Sequence, residues 1–515
     1  MNNSKTTYII IVLIFIFLNL GIFSLMMVKQ HWDDENMYVS AGVLIQNYSL
    51  YKDFAFLQMP YLPHLYGIIF SLTGTTHYLL IAEVINFFFM ALSSLLIYII
   101  SYRFSKNILI ALAILLLFLF NDIMTCTMEY SANAIVPIAF SLSAFYLFIN
   151  NSESNSINIF GLFFSGIFSA LAIGTKLYYA VTLPPFFIAS LCYPKEWKFK
   201  QRFLKVMLPL SLGVIIGLMP VFYYYLKDIE IFMFNNLGYH KLNTIYREMT
   251  GFTHAMSLFS KIEYGMRILK SPANTALLIG ALFLLFILIK QRLNEKELFR
   301  KIGMENLLLI LLVLFTAIAA FIPTPLWLHY FALPFPFVIL LLPYWYSRLI
   351  TSTRNLTNFL IVCLVLVTFL GSGSTLFNQL NYIFHTNQWS SLTVHHTAEE
   401  LENCIGTMDE NDKVATLYPL YALEGELSIY KELSASDFIF RLGKLLPGDI
   451  RNKYSYISSD NIFELFEREP PKAILVDIIA KPELYKPFVK YAEEHDYQKI
   501  QKDFNGMILY IQKEN

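Results

Sequence analysis

Charge is scarce in this chain. Only 15% of its 515 residues are Asp, Glu, Lys or Arg, against roughly a quarter in ordinary soluble proteins. Hydrophobic residues make up 56% and mean hydropathy is +0.52, which excludes a water-soluble globular chain. Neither sign of charge is in excess, with 38 basic and 38 acidic residues, so there is no basic stripe to support nucleic-acid binding. Cysteine is rare. Cys126, Cys192, Cys363 and Cys404 are scattered and form no metal-ligand spacing. Two of them fall in apolar runs, where a small buried hydrophobe is the plain reading. No Gly-rich phosphate loop follows the strand-like run AILVDII. The first apolar run, YIIIVLIFIFLNLGIFSLMMV, lacks a small-residue cleavage site and reads as a retained span rather than a signal peptide.

What is present is unevenly placed. Residues 372–515 hold 36 of the 76 charges, which predicts a polytopic helical membrane body over 1–371 and a soluble α/β tail over 372–515. A helix needs about 20 apolar residues to cross the hydrocarbon core. Eleven segments suggest themselves: 8–28, 76–102, 107–121, 131–149, 158–175, 177–193, 206–226, 272–289, 304–322, 326–347 and 356–371. The 13-residue stretch LPHLYGIIFSLTG at 62–74 is too short and reads as an interfacial helix. With the N-terminus cytoplasmic, 15 Lys and Arg fall inside and nine outside before residue 372, as the positive-inside rule requires. The inside set includes Lys296, Arg300 and Lys301. The external loops are then 29–75, 122–130 and 227–270, and the tail is extracytoplasmic.

That orientation gathers five carboxylates in one compartment: Asp33, Asp34 and Glu35 just after the first span, then Asp122 and Glu129. Glu83 lies within a span, where an acid usually faces a cavity or a polar partner. The tail shows helical periodicity in HTAEELENCIGTM, ASDFIFRLGKLL and KPELYKPFVKYAEEHD. KVATLYP, AILVDII and GMILYIQK suit strands. It reads as either an acceptor-contacting domain or a structural cap.

A transferase working outside the membrane needs a donor delivered by lipid, because nucleotide-activated donors are normally cytoplasmic. A polyprenyl-phosphate sugar meets that need, with a carboxylate taking the acceptor's proton and basic groups offsetting charge on the departing phosphate. Topology permits this chemistry without selecting it. The stretch DDENMYVSAGVLIQNYSLYKDFAFLQMPYLPHLYG, however, resembles the first external loop of the GT-C membrane glycosyltransferases, nearest to the protein O-mannosyltransferase and aminoarabinose-transferase-like families. An acidic pair, A-G-x-L, Y-K-D-F, Q-x-P-Y and a short amphipathic helix come in the family's order. MEYSANAIVPIAFSLSAFYLF, LAIGTKLYYAVTLPPF and WLHYFALPFPFVILLLPY resemble further family stretches, so the likeness spans essentially the whole chain.

The resemblance implies an inverting transfer of a sugar from a polyprenyl-phosphate-linked donor to an extracytoplasmic protein, lipid or envelope glycan. It makes the first-loop acid a catalytic base, matched here by Asp34 with Glu35 beside it. The doubled Asp33–Asp34 leaves a one-residue ambiguity, and capping of a helix that begins near Glu35 is the alternative role. Glu129 resembles the second-loop acid. Lys176 resembles a basic position near the lipid phosphate, or else snorkels to the interface. His329 and Tyr330 approach the same headgroup or belong to an aromatic belt. Lys52 and Asp53 either support the site or form an ion pair that holds the loop. Lys241 and Arg247, in the long loop, are further phosphate candidates. Aminoarabinose-transferase-like enzymes commonly show K-P-P-L where this chain has Gln58-Met59-Pro60-Tyr61, which points to a different donor or acceptor. External acids sometimes hold a divalent cation; without compact ligand spacing, the expectation is no metal and no other cofactor. The competing class is a transporter or flippase, for which no internal repeat is visible.

Overall fold

The computed structural model describes residues 2–29, 31, 33–129, 133–152, 157–294 and 303–513. Tyr130, Ser131, Ala132, Lys296, Arg300 and Lys301, used above, lie outside the described residues. The chain forms two compact units. One comprises 1–26, 86–220 and 254–384; the other comprises 27–85, 221–253 and 385–515. This differs from the contiguous division expected at 371/372. Composition along the chain reports how polar each stretch is, but not which loops fold together with the tail.

The first unit is helical. Each of the eleven apolar segments contains helix, because these runs are rich in Leu, Ile and Phe and satisfy their backbone internally. Among the described residues five helices are long and apolar enough to cross a membrane, from Ile9–Met27 to Thr351–Gly373, and up to seven if two bent pairs each count as one span. The bent pairs are Ile108–Leu119 with Asp122–Glu129, at 55°, and Phe199–Gly217 with Met219–Lys227, at 50°. Ile135–Asn151, Ile159–Thr175, Leu177–Cys192 and Met304–Ala320 are shorter apolar helices. Leu109, Phe160, Phe286, Ile318 and Phe359 point outward exposed, as side chains facing lipid do. The chain is a multi-pass membrane protein. Within this unit Ile159–Thr175 packs on Leu208–Gly217 at Gly166 and Gly213, where backbones touch so closely that a Cβ on Gly213 would stand 1.9 Å from the Phe163 carbonyl oxygen.

The second unit assembles three stretches that are distant in sequence. After the first apolar helix come Asp33–Leu44 and Tyr61–Thr73, the latter where the interfacial helix is expected. Helices Ile229–Met233 and Tyr239–Met249 form the middle contribution. The tail supplies a four-stranded sheet of order β1-β2-β4-β3, with β1 Val414–Ala415, β2 Ala473–Val476, β3 Gln498–Lys499 and β4 Ile508–Ile511. β1 is parallel to β2, while β2–β4 and β4–β3 are antiparallel. Ile474, Val476, Phe466, Tyr485, Phe488 and Tyr491 form its dry core, with Tyr485, Phe488 and Tyr491 on one face of Pro482–Glu494.

The acidic loop owes its shape to the crossing of Asp33–Leu44 over Tyr61–Thr73. A Cβ on Gly42 would lie 2.6 Å from the Cβ of Tyr66, and one on Gly67 would lie 2.8 Å from the Gly42 carbonyl oxygen. No side chain fits between these backbones. Gly42→Ala is therefore expected to destabilise the protein by about 1–3 kcal/mol through overpacking, read as a lower thermal midpoint of the detergent-purified chain. An unchanged midpoint would show that the crossing is loose.

Candidate active site

The helix begins at Asp33, so Asp33, Asp34 and Glu35 occupy its first turn and neither aspartate is the cap. Negative charge is favoured there by the helix dipole. Successive helical residues are rotated by about 100°, and the three acids meet three environments. Glu35 points inward and is buried. It pairs with Lys29 and, at 3.1 Å, with the His31 Nδ1. Burial alone would raise its carboxyl, but Lys29 and His31 hold it at about 2. His31 is fixed in turn by Asn36 at 3.0 Å, and the Asn36 Oδ1 accepts from the Leu420 N–H of the tail at 3.4 Å.

Asp33 is half-buried and is held by Lys481, which sits just before the helix Pro482–Glu494. Lys481 also stands 3.7 Å from Asp437 and 5.0 Å from the centre of the Tyr418 ring. Asp437 is buried and receives the Arg441 guanidinium at 3.2 Å. Arg441 donates further to the Tyr239 hydroxyl at 3.0 Å and to the Asn243 Oδ1 at 2.7 Å. Burial and the Asp437 carboxylate push Asp33 up. Asp437 is opposed by the same burial, yet Arg441 and Lys481 keep it low. Of the two acids around Lys481, Asp437 thus keeps its charge and Asp33 takes a proton first. Asp34, between them in sequence, is exposed.

The other expected residues of this unit separate into two groups. Lys52 and Asp53 do not pair with each other. The Asp53 carboxylate accepts the Ser49 N–H at 2.7 Å, closing the turn, while Lys52 is exposed. Both line a cavity of about 470 Å³. Lys241 is exposed on Tyr239–Met249. Arg247 is half-buried with its guanidinium 4.6 Å from the centre of the Phe252 ring, and its charge helps hold Asp437 down. Glu83 is buried, with one oxygen 3.3 Å from the Ser390 hydroxyl.

In the first unit Lys176 is buried, so it does not snorkel outward. Its ammonium donates to the Asn133 Oδ1 at 2.8 Å and lies 4.9 and 5.5 Å from the centres of the Tyr178 and Tyr330 rings. His329 packs edge-on against Tyr330 at 4.5 Å. These residues form one aromatic nest around a cation. Asp122 is tied to Asn274 at 2.9 Å, a fold-holding role. Glu129 ends the helix Asp122–Glu129 half-buried and makes no hydrogen bond or ion pair among the described residues. A carboxylate at the negative end of a helix is unfavourable, and the fold gains nothing from this one. Among the described residues no three His, Cys, Asp or Glu side chains converge as metal ligands do.

Lys481, Asp437, Arg441, Tyr239 and Asn243 were not among the expected residues. The i, i+4 pair in DFIFR was the one local signal for any of them.

No family model matches the chain, and no curated protein sequence matches it. Two solved structures share its fold along the whole length. ArnT from Cupriavidus metallidurans in the apo state aligns with a TM-score of 0.60 at 10% identity, covering 98% of each chain. The same protein bound to undecaprenyl phosphate aligns with a TM-score of 0.58 at 11% identity, covering 97% of each chain. The GT-C-like fold expected from the first loop agrees with that likeness.

Two outcomes follow from the acid network. Glu35→Gln leaves Lys29 buried without its counter-charge, and is expected to destabilise by about 3–5 kcal/mol. In the unmodified chain this pair's contribution is complete above the unfolded carboxyl pKa of about 4.3. It is lost as pH falls toward about 2, because the folded value is depressed. Asp33→Asn and Lys481→Met are expected to be non-additive by about 1 kcal/mol in a thermal-unfolding double-mutant cycle. Additive effects would dissolve the pairing.

Proposed function

We propose that this protein transfers a sugar from a polyprenyl-phosphate-linked donor to an extracytoplasmic acceptor, with inversion at the anomeric carbon. The observation that carries this reading is the likeness over 97% of both chains to ArnT bound to undecaprenyl phosphate, in a chain whose first loop presents one exposed acid. The transfer is a single displacement. The acceptor hydroxyl oxygen attacks the anomeric carbon, the bond from that carbon to the phosphate oxygen breaks, and the proton passes to Asp34. The lipid phosphate leaves with the bonding electrons.

Asp34 is preferred over its neighbours as the base. Asp33 faces Lys481 and Glu35 faces Lys29 and His31, so both are positioning residues for the turn that presents Asp34. Lys176, in its cage of Tyr178 and Tyr330, is the candidate partner of the phosphate. His329 and Tyr330 shape that nest, and Glu129 is the second candidate carboxylate. In this reading the N-terminus is cytoplasmic, the tail extracytoplasmic and the number of spans eleven. The reaction needs no divalent cation in our reading, because Asp33 and Glu35 are already matched by protein cations.

Purified protein given radiolabelled polyprenyl-phosphate sugars and membrane extract should transfer label. Asp34→Asn should retain donor binding while slowing transfer by about 100- to 10,000-fold, the usual range for a general base. A chelator should leave the rate unchanged. Lipid flipping or solute uptake that persists in Asp34→Asn, without any transfer, would favour a transporter instead.

A further inference from the structure

The cavity of about 470 Å³ in the second unit is lined from all three of its stretches: Tyr51, Lys52 and Asp53; Tyr224, Lys227 and Asp228; Lys431, Glu432, Lys453 and Tyr454. Its lining residue Tyr51 is held in place by hydrogen bonds. The Tyr456 hydroxyl donates to the Tyr51 carbonyl at 2.9 Å, Asn235 donates to the Tyr456 hydroxyl at 3.0 Å, and the Tyr51 hydroxyl donates to the Gln58 carbonyl at 2.7 Å. The volume lies within the usual range for small-molecule sites.

Its charges are unequal in how they are used. Lys453 is matched by Glu230 at 2.6 Å. Asp228 accepts from the Tyr454 hydroxyl at 2.6 Å and from the Ile231 N–H at 3.2 Å. Burial raises the Glu432 carboxyl, which favours its neutral form. Lys52, Lys227 and Lys431 make no ion pair among the described residues. Lys227 donates to the Ser49 hydroxyl at 3.0 Å and lies 5.5 Å from the centre of the Tyr223 ring, and the Lys431 ammonium lies 5.3 Å from the centre of the Tyr48 ring. Three cations from three segments therefore border one cavity whose walls also carry tyrosine rings and two hydrogen-bonded aspartates. A bare anion would meet Asp53 and Asp228, and a neutral sugar would leave the lysines unanswered. A sugar ring with an anionic substituent uses all of them: lysines for the charge, aspartates for hydroxyls, tyrosine faces for the ring.

We infer that this cavity recognises a charged sugar residue, carrying phosphate or carboxylate, of the acceptor. Binding follows from the cavity itself, while the word acceptor rests on the transfer proposed above. The test uses the full-length protein in detergent without donor. Equilibrium binding is measured for glucose 6-phosphate, glucuronate, glucose and inorganic phosphate. Both charged sugars should bind at least about tenfold more tightly than glucose or phosphate, and more weakly as salt rises. Lys52→Gln and Lys431→Gln should each weaken them about tenfold, the range for a charge-assisted hydrogen bond, while Lys431→Arg keeps most of the affinity. Absent binding, equal binding of glucose or of phosphate alone, or indifference to the lysine variants overturns the proposal. Displacement of the charged sugar by undecaprenyl phosphate would make the cavity a donor-headgroup site and overturn the acceptor assignment. Failure of the intact chain to transfer label from any donor sinks the proposed reaction but leaves these affinities standing, so the two failures are distinguishable.

Discussion

Three acids in a row on a helix cannot share one partner, and the second unit is organised around that constraint. The rotation of about 100° per residue sends Glu35 into the interior, Asp33 toward Lys481 and Asp34 to the outside. Each direction has its own consequence. Glu35 with Lys29 and His31 ties the stretch that precedes the helix Asp33–Leu44 to that helix's first turn. Asp33 with Lys481 joins the same turn to the tail. Asp34 is left exposed by a turn that is fixed on both sides.

The unit is held together by polar contacts that have only one way of being made. Asn36 meets the Leu420 N–H, Asn235 meets Tyr456, which meets Tyr51, and Arg441 meets Asn243 and Tyr239. Net stabilisation from such contacts is modest, but a buried donor or acceptor left unmatched is costly. They therefore select one register among the three stretches more than they add strength. This explains why a chain with so few charges places nearly half of them in its last 144 residues. Several of those charges, among them Asp437, Arg441 and Lys481, fix the acidic turn.

Much of this was legible from local pattern. Apolar runs gave the helices of the first unit, β-rich runs marked where β1, β2 and β4 form, and the 62–74 stretch is a short helix. Local pattern reports periodicity, so it could not show that 27–85 and 221–253 pack with the tail. Nor could it separate Asp33, Asp34 and Glu35, because what distinguishes them is the identity of partners more than 400 residues away in one case and six in another. The ion-pair alternative for Lys52 and Asp53 fails for a related reason. Neighbours in sequence were assumed to be neighbours in space, whereas Asp53 turns back to the Ser49 N–H.

The same distinction separates acids the fold consumes from acids that chemistry can use. Glu35, Asp33, Asp53 and Asp122 each answer a named donor. Glu129 sits where a helix end disfavours negative charge and makes no hydrogen bond or ion pair among the described residues. Asp34 is exposed on a turn that its two neighbours already hold. Stability alone would favour a neutral residue at Glu129. Under the proposed transfer a base must be reachable by an incoming acceptor, and of the three acids in the first turn Asp34 is the exposed one.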